Sequence, residues 1–135
     1  MKNSIQIYCN KENLASVRRF VTKNLEPTAL SEIEINALVL AVDEVCANVI
    51  IHSAECNDEK TLDVYIETNN TNITFEVIDR GSGYDLRKHK MPDLGEIIKT
   101  KRKGGVGLML VQKIMDKIDF IPSNNGHIIR LIKHI

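Results

Sequence analysis

Residues 39–53 read Val39-Leu40-Ala41-Val42-Asp43-Glu44-Val45-Cys46-Ala47-Asn48-Val49-Ile50-Ile51-His52-Ser53, and two patterns interleave in them. At about 100° per residue, Leu38, Ala41, Val42, Val45, Cys46 and Val49 fall on one apolar face, the spacing of a helix packed on a core. Glu44, Asn48 and His52 recur four residues apart, so they stack along the flank of that face. Core packing asks for no polar group there. Either they are rim residues of a buried helix, or a carboxylate and an amide reach together into a cleft. The sequence downstream favours the cleft.

Upstream, Ser31 followed three residues later by Glu34 is a capping box, which opens this long helix. Before it, Asn10 offers a cap, and Leu14, Val17, Phe20, Val21 and Leu25 trace a first helix that Pro27 ends. Ser4 to Cys9 alternates Ile5, Ile7 and Cys9 with polar residues, as a half-buried strand does. Beyond His52, Leu62, Val64 and Ile66 alternate with polar residues, and so do Ile73, Phe75 and Val77. Asn69-Asn70-Thr71-Asn72 between them reads as a turn, so the two runs form an antiparallel hairpin. The second run leads straight into Asp79-Arg80-Gly81-Ser82-Gly83.

From Tyr84 to Lys103 no hydrophobic period holds, apart from a possible helical turn around Leu94 to Ile98. A loop of that length is usually a lid or binding segment. Arg87, Lys88, Lys90, Lys99, Lys101, Arg102 and Lys103 outnumber Asp85, Asp93 and Glu96 in it, which suits an anionic ligand. Gly104-Gly105-Val106-Gly107-Leu108 follows, and Leu108, Val111, Ile114, Met115 and Ile118 trace another amphipathic helix. Glycine-rich backbone meeting a helix N-terminus presents free amides and a positive dipole end to phosphate oxygens. Ile118 to Ile121, a turn at Asn124-Asn125-Gly126 and a strand from His127 to Ile132 close the chain as a second hairpin.

Composition bounds the function. A chain of 135 residues with 43% apolar and 27% charged residues is of single-domain size and buries a core without metal or disulfide support. Its net charge of zero gives no whole-chain pull toward nucleic acid or a membrane surface. No apolar run of signal or spanning length is present, so a cytoplasmic location is expected. Cys9, Cys46 and Cys56 lack metal-ligand spacing and read as reduced thiols, with Cys46 as core filler. Neither glycine cluster fits a P-loop or a dinucleotide-binding turn.

Glu44 and Asn48 on a helix, Asp-x-Gly-x-Gly at 79–83 and Gly-x-Gly-Leu at 105–108 form a three-part constellation. In that order they resemble the ATP-binding domain of DNA gyrase, histidine kinases and MutL proteins, the GHKL or Bergerat fold. The wording Asp43-Glu44-Val45-Cys46-Ala47-Asn48, His52, Gly83-Tyr84-Asp85 and Gly104-Gly105-Val106-Gly107-Leu108 is similar to the bacterial anti-sigma-factor serine/threonine kinases. The resemblance implies one domain over residues 1–135 with an ATP lid at about 84–103. It also implies a two-layer α/β (α+β) sandwich, with a mixed, mostly antiparallel sheet carrying helices on one face. The implied cofactors are ATP and Mg²⁺.

By the same resemblance, Glu44 is the general base and Asn48 the Mg²⁺ ligand. Asp79 accepts from the adenine amine, and Gly81 and Gly83 let backbone pass the base. Lys103, Gly104, Gly105, Val106, Gly107 and Leu108 meet the phosphates. The implied partners are an anti-anti-sigma (STAS-type) protein, which is phosphorylated, and a sigma factor, which is sequestered. A homodimer with no direct nucleic-acid or membrane contact is implied too. Alternatives are a nucleotide-sensing binding module without kinase activity, and a switch kinase acting on scaffold proteins and a phosphatase. The chain departs from the family's habit twice: Lys103 stands where Arg is frequent, and Gly126-His127 stands where Gly-Thr is frequent, at the adenine rim.

Overall fold

A computed structural model describes residues 1–52, 60–79, 105–123 and 126–135. Strand β1, Lys2–Tyr8, is followed by a 3-10 turn over Lys11–Asn13 and by helix α1, Leu14–Leu25. Asn10 caps the 3-10 turn, its side chain accepting from the Glu12 amide, and α1 continues from it. Helix α2 spans Glu32–His52. The capping box forms at its start: the Glu34 amide donates to Ser31 Oγ at 3.1 Å, and the Ser31 amide donates to Glu34 Oε1 at 3.4 Å. Two orphan amides are thereby satisfied.

Strands β2, Thr61–Thr68, and β3, Asn72–Asp79, form the first hairpin. Asn69 Oδ1 accepts the amides of Thr71 and Asn72, which closes the turn. Helix α3, Gly105–Ile114, precedes the second hairpin of β4, Lys117–Ser123, and β5, Gly126–His134. The sheet order is β1-β2-β3-β5-β4. All four pairings are antiparallel, so the mixed sheet expected from the sequence is antiparallel throughout the described residues. The last hairpin folds back, and its second strand, β5, takes the place beside β3.

One face of the sheet carries the helices. Ile7, Leu62, Val64, Ile66, Ile73, Phe75, Val77, Ile129 and Leu131 point into that layer and are buried. Val17, Val21 and Leu25 of α1 meet them, as do Leu38, Ala41, Val42, Val45, Cys46 and Val49 of α2, the face read from the sequence. Burial of each large side chain contributes about 1.5–3 kcal/mol. Helix α2 packs between α1 and α3 and also touches β3. Arg18 of α1 pairs with Asp43 of α2 at 2.9 Å, and Asn3 of β1 donates to the buried Asn24 of α1. The opposite face is polar in part, with Arg130 holding Glu76 Oε2 through Nε and Nη2 at 3.1 and 2.9 Å.

Two further sequence expectations change. Helix α3 stops at Ile114, and Ile118 belongs to β4. Cys9 is disulfide-bonded, not a reduced thiol; Cys46 is free and buried, as expected, and Cys56 lies outside the described residues. The helical turn at 94–98 and the lid at 84–103 also lie outside them.

Candidate nucleotide-binding site

The polar residues of α2 stand where its apolar face gives way to its flank. Asn48 is 8% exposed, and its Nδ2 donates to the Glu44 carbonyl at 2.7 Å. That bond fixes the amide and leaves Oδ1 turned the other way, buried and with no hydrogen-bond partner among the described residues. A buried acceptor left unmet costs about 1–3 kcal/mol, so a helix retaining one has a use for it. Glu44, one turn earlier, is half-buried. Desolvation first, and the neighbouring Asp43 charge second, raise its pKa above the ordinary 4.5. A raised carboxylate is a better proton acceptor near neutral pH.

Oδ1 is a hard neutral oxygen, and Mg²⁺ takes such donors while keeping water and phosphate oxygens as its remaining ligands. The residues present therefore fit that ion. Among the described residues no cluster of three His, Cys, Asp or Glu side chains is placed to hold a metal by protein alone.

Asp79 ends β3 on the helix side of the sheet and is 3% exposed. It is a buried carboxylate at a strand end, the type of acceptor that recognises an amine selectively once water is excluded. Gly105, Val106, Gly107 and Leu108 form the first turn of α3, the helix that packs against α2. Their N-terminal amides have no intrahelical acceptors and are available to anions. Gly81, Gly83, Lys103 and Gly104 fall outside the described residues, and so do the side chains of His52 and of residues 105–108.

The register shows what the sequence alone does not. His127, the second residue of β5, stands directly opposite Asp79, with Pro122 of β4 on its other side. It is 5% exposed. Gly126 precedes it with φ 131°, a conformation open to glycine and costly for other residues, so the turn into β5 depends on that glycine. Desolvation lowers the imidazole pKa from its ordinary 6.5, while the Asp79 charge opposes the shift. The pair is made by the β3–β5 register, which joins residues far apart in the chain and has no local signal.

Residues 8–133 match the histidine kinase-like ATPase domain. The chain belongs to that family. It is 30% identical to an anti-sigma F factor of Clostridium beijerinckii over 93% of this chain and 87% of that one. It is 29% identical to a serine-protein kinase RsbW of Bacillus pumilus over 76% of this chain and 66% of the kinase. The fold is also that of a crystal structure of the RsbU and RsbW domains of a Mycobacterium tuberculosis protein, with TM-score 0.68 and 16% identity. That alignment covers 98% of this chain and 32% of the other. The shared fold is the ATP-binding α/β sandwich expected from the three-part constellation.

Proposed function

We propose that this chain is an ATP-dependent serine/threonine protein kinase of anti-sigma type, phosphorylating a small anti-anti-sigma (STAS-type) protein and holding a sigma factor in its other state. The observation that carries the reading is the unmet Asn48 Oδ1, one turn from a carboxylate of raised pKa, on a helix that packs against α3. The names carried by the relatives support it. Residues 1–135 act as one ATP-binding domain, as a homodimer in the cytoplasm.

Glu44 takes the proton of the attacking serine hydroxyl. The amides of Gly105 to Leu108 receive phosphate oxygens at the positive end of the α3 dipole, where charge moves during transfer. Asn48 Oδ1 offers its lone pair to the cation. Mg²⁺, held in part by that oxygen, would supply neutralisation of the phosphate charge. Asp79 orients the base through the adenine amine, with Gly81 and Gly83 beside it, and Lys103 and Gly104 extend the phosphate contact. Phosphoryl transfer is mostly positioning and charge, so this small set suffices.

The test is incubation with γ-labelled ATP and a serine-containing antagonist protein. Label should pass to the antagonist, and Glu44→Gln should slow its transfer by roughly 100-fold or more while retaining nucleotide. Nucleotide binding with no label transferred by the wild-type protein would make the chain a nucleotide-sensing module.

A further inference from the structure

Asp79 and His127 form a buried acid–imidazole pair at one end of the helix-side layer. They are direct register partners on β3 and β5, on the same face, and both are nearly closed to solvent. We propose that His127 is a positioning residue of the base site that makes nucleotide affinity proton-dependent: neutral, it leaves the Asp79 carboxylate to the adenine amine, and protonated, it claims that carboxylate as an ion pair. The inference rests on the reading that Asp79 accepts from adenine.

The physical argument has two parts. An imidazolium is a charged donor, and its bond to a carboxylate is about twice as strong as that of a neutral amine. Low local polarity widens the difference. A carboxylate already neutralised by an imidazolium is therefore a weaker acceptor for adenine. Nucleotide over the pair also removes remaining water, which disfavours the imidazolium. Proton and nucleotide thus compete, and the competition is reciprocal.

Across β4 stands Pro122, which carries no charge. Helix α2 carries Asp43 and Glu44 and α3 carries Lys113, and among the described residues Asp79 is the charge that acts on the imidazole. Burial holds His127 neutral at pH 7. Protonation occurs as pH falls below the ordinary 6.5, and affinity is lost in that direction.

The test is calorimetric Mg-ATP binding between pH 5.5 and 8 for the wild-type protein, His127→Thr, His127→Gln and Asp79→Asn. Taking ratios between proteins cancels the titration of ATP itself. Wild-type affinity should fall more steeply with acid than that of either His127 variant, by up to about tenfold per pH unit below the imidazole pKa. Two variants guard against misfolding of one, with circular dichroism as the check. The imidazole pKa of His127, followed by NMR, should drop when nucleotide binds. Parallel pH profiles with an unmoved imidazole pKa overturn the inference. Asp79→Asn binding ATP as tightly as wild type overturns the base-site reading beneath it, whereas weakened binding by Asp79→Asn with unchanged His127 profiles overturns only the role of His127.

Discussion

Asn48 sets a stability cost against a binding gain within one side chain. Its Nδ2 is bonded and its Oδ1 is not, so the native state carries an unmet acceptor that alanine would remove. Alanine is also the better helix former. Asn48→Ala should therefore leave the thermal midpoint of the free protein unchanged or higher, while Mg²⁺-dependent ATP affinity falls tenfold or more, a loss of about 1.4 kcal/mol. A destabilised variant with wild-type Mg-ATP affinity would make the amide structural. Glu44 gives a pH prediction of definite sign. It acts as base only when ionised, and burial with Asp43 raises its pKa, so the acid limb of the rate profile lies above 4.5. Asp43→Asn removes one of the two causes and should move that limb down. The same substitution breaks the ion pair with Arg18, which is partly exposed and is worth under about 1 kcal/mol. A limb that stays in place means another group controls it. The four-residue spacing of Glu44 and Asn48 was legible in the sequence, because helical geometry is local. The pairing of Asp79 with His127 was not, because it joins residues far apart in the chain through a sheet register.

At the scale of elements, α2 was the most legible part because its start signal and its face agree. Ser31 and Glu34 form the capping box, and the apolar residues from Leu38 to Val49 are buried as the period requires. Ser31→Ala leaves the Glu34 amide without its partner, and the cost should be about 1 kcal/mol. Urea unfolding should show a lower midpoint with the slope unchanged; an unaltered midpoint would mean the cap adds nothing to a helix held by packing. The end of α3 was misread for a physical reason. Ile118 continues the helical period of Ile114, yet the chain leaves the helix at Met115 and Asp116 and enters β4 at Lys117. The Asp116 amide donates to the Ile132 carbonyl, and Asp116 Oδ2 accepts the His134 amide at 2.7 Å. An isoleucine that faces the core satisfies either period, and hydrogen bonds from β5 decide between them. The first hairpin needed no such arbitration, because its alternation and the Asn69 turn point the same way.

Across the whole molecule, the order of elements places every described candidate residue on one side of one sheet. Helix α2 lies between α1 and α3, β3 delivers Asp79, and the returning β5 completes that edge with His127. The fold class was legible because the three motifs, Glu44 and Asn48 within a helix, Asp79 at a strand end and Gly105 to Leu108 opening a helix, resemble one family and sit on elements that local signals mark. A ligand gripped by α2, β3 and α3 together binds the folded chain and not the unfolded one, so it must raise stability by mass action. Mg-ATP at about one hundred times its Kd should add about 2.7 kcal/mol. For a chain of this size that is a readily measured rise in thermal midpoint. Chelating Mg²⁺ should remove much of the rise if Asn48 Oδ1 meets the cation, and GTP should produce less of it, since guanine presents a carbonyl where adenine presents an amine to Asp79. Differential scanning fluorimetry with ATP, ATP plus chelator, and GTP reads all three. Equal shifts with ATP and GTP would place the base away from Asp79, and a shift indifferent to Mg²⁺ would place the cation away from α2.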